Sequence, residues 1–335
     1  MLKKIRMKKI IILMVVCIFM LSMTSCNTNS EEKETIILAN AGWASNELHN
    51  SIAAFIIENG YGYDTDVISG GTPSSLTGIR SGDIDVMLEL WTDNIEDAYQ
   101  EALDNGEIIK TSTNFGDNAQ GLYVPTYMIE GDAERGIEPM APDLKTIKDL
   151  DKYWELFKDP EDTSKGRMYG AIPGWAADEI MQTKIKNYGL DENYNYFSPG
   201  SEAALNTSLV SAYEEGEAWL GYNWEPTWVM GSYDMTLLED EPFDTAKWED
   251  GYLCEFPAVD VVVAINSALP DKAPDIVDFL ENYVTSSALT SEALAYMQDN
   301  DATVDETAQW FLKEHEDIWT AMVPEDIASK VKEAL

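Results

Sequence analysis

Short apolar runs alternate along this chain with amphipathic stretches, and the pattern predicts strands and helices in turn. Residues 36–40, IILAN, predict a strand. It leads through Gly42-Trp43 into a stretch where Leu48, Ile52, Phe55 and Ile56 fall near helical spacing before Gly60. Ser45 or Asn46 is the expected cap of that helix. YDTDVISG (63–70) reads as a second strand and TPSSLTGIRSG as a short helix ended by Gly82. DIDVMLEL then alternates, with Ile84, Val86, Leu88 and Leu90 on one face and Asp83, Asp85, Met87 and Glu89 on the other. Trp91 ends this strand. Thr92-Asp93-Asn94 caps a following helix, IEDAYQEALDNG, which closes at Gly106.

The same devices return in the second half of the chain. RMYGAIPG (167–174) is a strand running into Pro173-Gly174, then Trp175, then a helix over ADEIMQTKIKNYGL. SEAALNTSLVSAYEEGE is an amphipathic helix with Ala204, Leu205, Leu209 and Ala212 on one side. AWLGYN follows as a strand that ends in Trp224, before Glu225-Pro226. Gly82-to-Trp91 and Gly216-to-Trp224 are counterparts, as are Gly42-Trp43 and Gly174-Trp175. Two α/β lobes follow from this pattern, each offering two tryptophans at strand ends. In open α/β sheets, ligands bind outside the carboxyl ends of the strands. Trp43, Trp91, Trp175 and Trp224 are therefore expected in one cleft. Trp154, Trp219, Trp228, Trp248, Trp310 and Trp319 are expected as core, edge or surface aromatics.

The N-terminus reads as a processing segment. Residues 1–9 hold five basic side chains and no acid, residues 10–23 are apolar, and Thr24-Ser25-Cys26 follow. The apolar run is shorter than the roughly 20 residues that a membrane span needs; a retained N-terminal anchor is the alternative. Met-Thr-Ser-Cys resembles a bacterial lipobox, with Met23 where leucine is usual. That resemblance implies lipid attachment at Cys26, a signal peptide over 1–25 and a polar tether over 26–34.

Charge and cysteine content narrow the function. The chain of 335 residues carries a formal net charge of −39, and removal of the signal's basic residues makes it more negative. Such a field repels nucleic acid and anionic lipid. The length exceeds one small core and suits two lobes. Past the signal and Cys26 only Cys254 remains, so no intramolecular disulfide is expected. His49 and His315 stand far apart, and HExxH and CxxC spacings are absent, so no metal site and no cofactor are expected.

Several tryptophan faces together hold a quaternary ammonium, which has diffuse charge and no N–H to donate, at roughly 0.5–2 kcal/mol each when desolvated. A sugar also stacks on tryptophan but needs many polar partners, and the strand ends offer few beyond Asn94, Asn223 and Glu225. At GDIDVMLELW, IPGW and NWEPTW, with ENGYGY and GGTPSSL, the sequence resembles the glycine betaine/proline betaine/choline class of substrate-binding proteins serving ABC importers. The resemblance spans about residues 35–335. It implies an α/β, two-lobed periplasmic-binding-protein-like fold with a two-strand hinge. Residues 35–125 would form lobe 1, residues 126–257 lobe 2, and residues 258–335 would return to lobe 1. The crossings would fall at Val124-Pro125-Thr126 and Phe256-Pro257-Ala258.

The resemblance further implies a cage of Trp91, Trp175 and Trp224, with a ligand carboxylate held by the backbone amides of Ala176 and Ala177. Trp43 supplies a fourth wall. Some members of the class place a histidine four residues after the LELW tryptophan; Ile95 stands there in this chain. No lysine or arginine lies near the four tryptophans in sequence, so the anion half of the site is thin. Glu47, Glu89 or Glu225 could add attraction for a cation. The implied protein is extracytoplasmic, anchored to the bacterial membrane by its lipid, monomeric and not an enzyme. It would deliver glycine betaine to an ABC permease and ATPase, with choline or trimethylamine N-oxide as alternatives. Two other readings are a secreted glycoside hydrolase, which needs a carboxylate pair about 5–9.5 Å apart, and a sensor or adhesion lipoprotein of the same fold. No GxSxG elbow supports serine hydrolysis.

Overall fold

The computed structural model describes residues 33–257 and 259–335, and Thr35–Leu335 form one unit. The signal 1–25, Cys26 and most of the tether lie outside the described residues, as does Ala258. Ten strands are described: β1 Ile36–Asn40, β2 Thr65–Ser69, β3 Val86–Trp91, β4 Ile108–Phe115, β5 Gln120–Pro125, β6 Gly166–Tyr169, β7 Tyr194–Phe197, β8 Gly221–Trp224, β9 Met235–Leu237 and β10 Val261–Asn266. The helices that matter to the site are α1 Ala44–Ile56, α2 Thr72–Ser81, α3 Glu96–Asp104, α4 Ala176–Asn187, α5 Glu202–Glu215, α6 Ser287–Asp299, α7 Val304–Glu314 and α8 Glu325–Ala334.

The strands form two five-stranded sheets of matching design, β2-β1-β3-β10-β4 and β7-β6-β8-β5-β9. In each, three parallel strands come from a β-α-β-α-β run: β1-α1-β2-α2-β3 in the first lobe and β6-α4-β7-α5-β8 in the second. The fourth strand is antiparallel and arrives from the other lobe, β10 in one sheet and β5 in the other. The repeat of tryptophan-ended strands in the sequence reflects this repeated unit.

The first crossing corrects the expectation. Residues 120–125, placed at the end of lobe 1 by the sequence reading, pair with β8 and β9 in the second sheet. The chain therefore leaves the first lobe at residues 116–119, not at Val124-Pro125-Thr126. An apolar run such as QGLYVP can fill the middle of either sheet, and nothing local tells which. The return runs into β10, and Asn118 Nδ2 donates to the Val259 carbonyl at 2.6 Å, tying the two crossing segments together.

β3 also departs from the expected half-buried alternation, because all six of its residues are buried. Its sheet is covered on both faces. Val86 and Leu88 join Leu38, Val263 and Ile265 in a core closed by α1 and the C-terminal helices. Met87, Leu90 and Trp91 belong to the core that faces the second lobe. α1 does not stop at Gly60: it runs into a wider turn over Ile57–Tyr61, and Gly62 ends it in the left-handed region at φ 73°. Gly60 instead admits α8, since a Cβ there would lie 2.7 Å from Ile327. Trp219, Trp248 and Trp319 are core residues, and Trp154, Trp228 and Trp310 are half-buried against the cores. No helix among the described residues is long and apolar enough to cross a membrane.

Candidate functional site

Each of the four strand-end tryptophans stands where a strand gives way to a helix. β1 ends at Asn40, Gly42 turns the chain at φ 89°, and Trp43 precedes α1. Gly174, at φ 93°, turns the chain into Trp175 at the head of α4. Trp91 and Trp224 are the last residues of β3 and β8. The ring centroids of Trp43 and Trp175 are 5.2 Å apart at 83°, and those of Trp175 and Trp224 are 4.9 Å apart at 86°. Trp175 thus meets two neighbours edge to face. Tyr222 stacks on Trp224 at 5.8 Å, and Phe115 braces Trp91 at 6.1 Å. All four tryptophans are only 4–6% exposed.

Together they line a cavity of about 340 Å³ of atom-free space, its mouth included, with Thr72, Asn94, Ala176, Ala177 and Tyr222. The six residues expected to bind ligand, Trp43, Trp91, Trp175, Ala176, Ala177 and Trp224, all face this one cavity. Thr72 and Tyr222 were not anticipated. Tyr222 carries a readable signal, because it lies two positions before Trp224 and so shares its face of β8. Thr72 does not, because it opens α2, an element without a tryptophan to mark it. Ala176 and Ala177 are the first residues of α4, whose opening N–H groups have no acceptor inside the helix. That end of a helix suits an anion. The cavity lining contains no lysine or arginine.

None of the three glutamates considered as cation partners lines the cavity. Glu47 accepts from Asn40 Nδ2 at 3.0 Å and faces a separate surface groove. The backbone N–H of Glu225 donates to the Ala119 carbonyl. Glu89 is fully buried behind the tryptophans, where its Oε1 accepts from Ser45 Oγ at 2.9 Å and from Trp91 Nε1 at 3.2 Å. Burial pushes its carboxyl up to about 8, against the lowering pull of the Ser45 hydroxyl and the Trp43 and Trp91 indoles; the nearby Glu202 charge adds to the rise. Glu89 thus positions Trp91 from behind.

The lobes meet around the cavity. Trp175 Nε1 donates to the Ala41 carbonyl at 3.1 Å. Gly71 lies so close to Gly174 that a Cβ on Gly71 would sit 2.0 Å from the Gly174 carbonyl oxygen. At the inner end Asn94 and Gln120 share their amide groups, and Tyr222 OH donates to Gln120 Oε1 at 2.9 Å. The expected caps of α1 are absent. Ser45 turns to Glu89, and Asn46 Oδ1 accepts from the Ala41 N–H at 2.8 Å. The first N–H of α1, at Ala44, donates instead to Glu202 Oε2 at 2.7 Å, from the opposite lobe.

Residues 34–314 match the family described as the substrate binding domain of ABC-type glycine betaine transport system. The chain is 24% identical to a trimethylamine N-oxide-binding protein of Pelagibacter ubique, over 94% of this chain and 99% of that one. It is 28% identical to a glycine betaine-binding periplasmic protein of Dickeya dadantii over a shorter stretch, 46% of this chain and 43% of that one. Its fold is similar to that of a glycine betaine/L-proline-binding transporter protein of Borrelia burgdorferi, at a TM-score of 0.72 and 19% identity, covering 89% of this chain and 99% of that one. With its two matching α/β lobes and a tryptophan-lined cavity between them, the chain belongs to the family of substrate-binding domains of ABC-type glycine betaine transport systems.

Proposed function

We propose that this protein captures glycine betaine outside the cytoplasm and hands it to an ABC permease and its ATPase. The trimethylammonium group sits among Trp43, Trp91, Trp175 and Trp224, where desolvated aromatic faces are worth roughly 0.5–2 kcal/mol each. The carboxylate meets the free N–H groups of Ala176 and Ala177, with Thr72 and Asn94 as further polar neighbours. The observation that carries this reading is the edge-to-face set of tryptophans built directly onto the start of α4.

The cavity lining also favours a zwitterion over a bare cation. No carboxylate faces the cavity, and the free helix amides there call for a negative group that the solute itself must bring. The lining holds no carboxylate, histidine, serine or cysteine, which is consistent with a protein that acts by binding. Lipid on Cys26 holds it at the membrane as a monomer, and its acidic surface has no use for nucleic acid.

A calorimetric titration with glycine betaine, choline and trimethylamine N-oxide tests the assignment. Tight betaine binding with weak choline binding supports it, and means that helix amides serve in place of a histidine at Ile95. Binding of choline or the N-oxide alone overturns the betaine assignment and leaves the cage. No response to any of the three removes the quaternary ammonium reading altogether.

A further inference from the structure

We propose that Glu202 is a positioning residue that latches the lobes together behind Trp43, and that this latch makes ligand retention proton-dependent. The proposal rests on the reading of the box as a site on which the lobes close. Glu202 opens α5 in the second lobe, and its Oε2 takes the Ala44 N–H that opens α1 in the first. A single carboxyl thus serves the N-termini of two helices, one from each lobe, where a negative or accepting group is favoured. α1 has no cap of its own, because Trp43 offers none and both Ser45 and Asn46 are engaged elsewhere. Its first amide therefore has a protein acceptor only while the lobes are together, and turns to water when they part. Trp43 immediately precedes that amide, so the latch also fixes one wall of the box.

The surroundings of Glu202 set how the latch responds to protons. It is 8% exposed, and Asn206 Nδ2 on its own helix lies 3.4 Å from its Oε1. The charge that acts on it is the Glu47 carboxylate on α1, with no lysine or arginine beside it; the Glu89 carboxyl on β3 also faces it but keeps its proton up to about 8. Burial is the larger effect and Glu47 adds to it; together they outweigh the Ala44 N–H and raise the Glu202 carboxyl to about 7, from an ordinary 4.5. Opening the lobes returns the group to water and to its ordinary value. Closure therefore takes up a proton between those two values. Retention of ligand strengthens as pH falls from above 7 towards 4.5 and is weakest above 7. Glu89 keeps its hydrogen bonds to Ser45 and Trp91 within its own lobe and takes none across the cleft.

The test compares wild type with Glu202→Gln and Glu202→Ala, using glycine betaine as the probe from pH 5 to pH 8. Gln keeps an acceptor without charge, so Glu202→Gln binds at least about threefold tighter than wild type at pH 8 and loses the pH dependence. Ala removes the acceptor as well as the charge, so Glu202→Ala also loses the pH dependence but binds about tenfold more weakly than Glu202→Gln, mainly through faster release measured by stopped-flow tryptophan fluorescence. A packing role alone would weaken both variants alike and leave the pH profile in place, and that result overturns the proposal. If wild type does not respond to betaine, the ligand reading fails separately, and the latch is then read from hydrogen exchange at the Ala44 amide of the ligand-free protein. Protection that is lost in Glu202→Ala supports it; equal exchange in both proteins overturns it.

Discussion

Trp175 combines two tasks that the other tryptophans divide. It meets both Trp43 and Trp224 edge to face, and its indole N–H reaches across the cleft to the Ala41 carbonyl. Trp91 contributes one wall and is anchored within its own lobe by Glu89. Alanine at Trp175 therefore costs a wall and a bond between the lobes, a loss of about a hundredfold in betaine affinity, against about tenfold for Trp91→Ala. Calorimetry on the two variants checks this order. Affinities within about twofold of wild type for both would be incompatible with any cage, because each aromatic face alone should contribute more. The tryptophans were legible at this scale, since strand-end aromatics beside helix starts are a local pattern. The glutamates were not. Glu89 stands on a strand whose alternation marks it as polar and outward-facing, yet it is buried because a second core lies against that face of the sheet.

At the scale of elements, the turn between β2 and α2 decides whether the lobes can meet. Gly71 has φ −68°, a conformation open to any residue, so the folded first lobe tolerates alanine there. The Cβ that alanine adds would lie 2.0 Å from the Gly174 carbonyl oxygen of the facing lobe. Gly71→Ala is thus expected to leave the melting temperature of the unliganded protein unchanged and to weaken betaine binding by about tenfold or more. Small-angle scattering at saturating betaine should show a larger radius of gyration than wild type under the same conditions. An unchanged affinity would mean that the turn gives way without cost. The elements themselves were largely predictable, because Gly82, Gly106 and Gly216 stop helices in the left-handed region where glycine is favoured. The lobe boundary was not, since β5 is specified by partners in β8 and β9 far along the chain.

Over the whole molecule, two buried groups slope stability in opposite directions with pH. Glu89 titrates at about 8 in the fold, against 4.5 ordinarily. The folded state holds the proton more tightly, so this contribution is fully present below 4.5 and is lost as pH rises to about 8. His49 is buried against Phe115 and bonded through Nδ1 to Tyr283 OH, and desolvation lowers it to about 3 from 6.5. Its contribution is complete above 6.5 and is lost as pH falls towards 3. The two slopes oppose each other between 4.5 and 6.5. Glu202, raised to about 7 when the lobes are closed, slopes the same way as Glu89, so thermal stability is expected to decline gradually there and more steeply above 6.5. The net charge of −39 adds self-repulsion in the same alkaline sense. Glu89→Gln should remove most of that decline in a series of melting temperatures. A wild-type melting temperature that still climbs between pH 6.5 and 8 would contradict the assignment of Glu89.

By itself the sequence determined the repeated β-α-β-α-β unit, the tryptophan at the end of each key strand and the aromatic chemistry those side chains imply. These are matters of local periodicity, helix stops and residue type, each readable within a dozen or so neighbours. Tertiary structure alone decided that β5 crosses into the second sheet, that Thr72 reaches the cavity, and that α1 is capped by a carboxyl 158 residues away. Strand partners, a helix cap borrowed from another lobe and the protonation of a buried acid all depend on what surrounds a group in space. Sequence neighbours carry almost none of that information, because desolvation and hydrogen bonding act over a few ångströms whatever the separation along the chain.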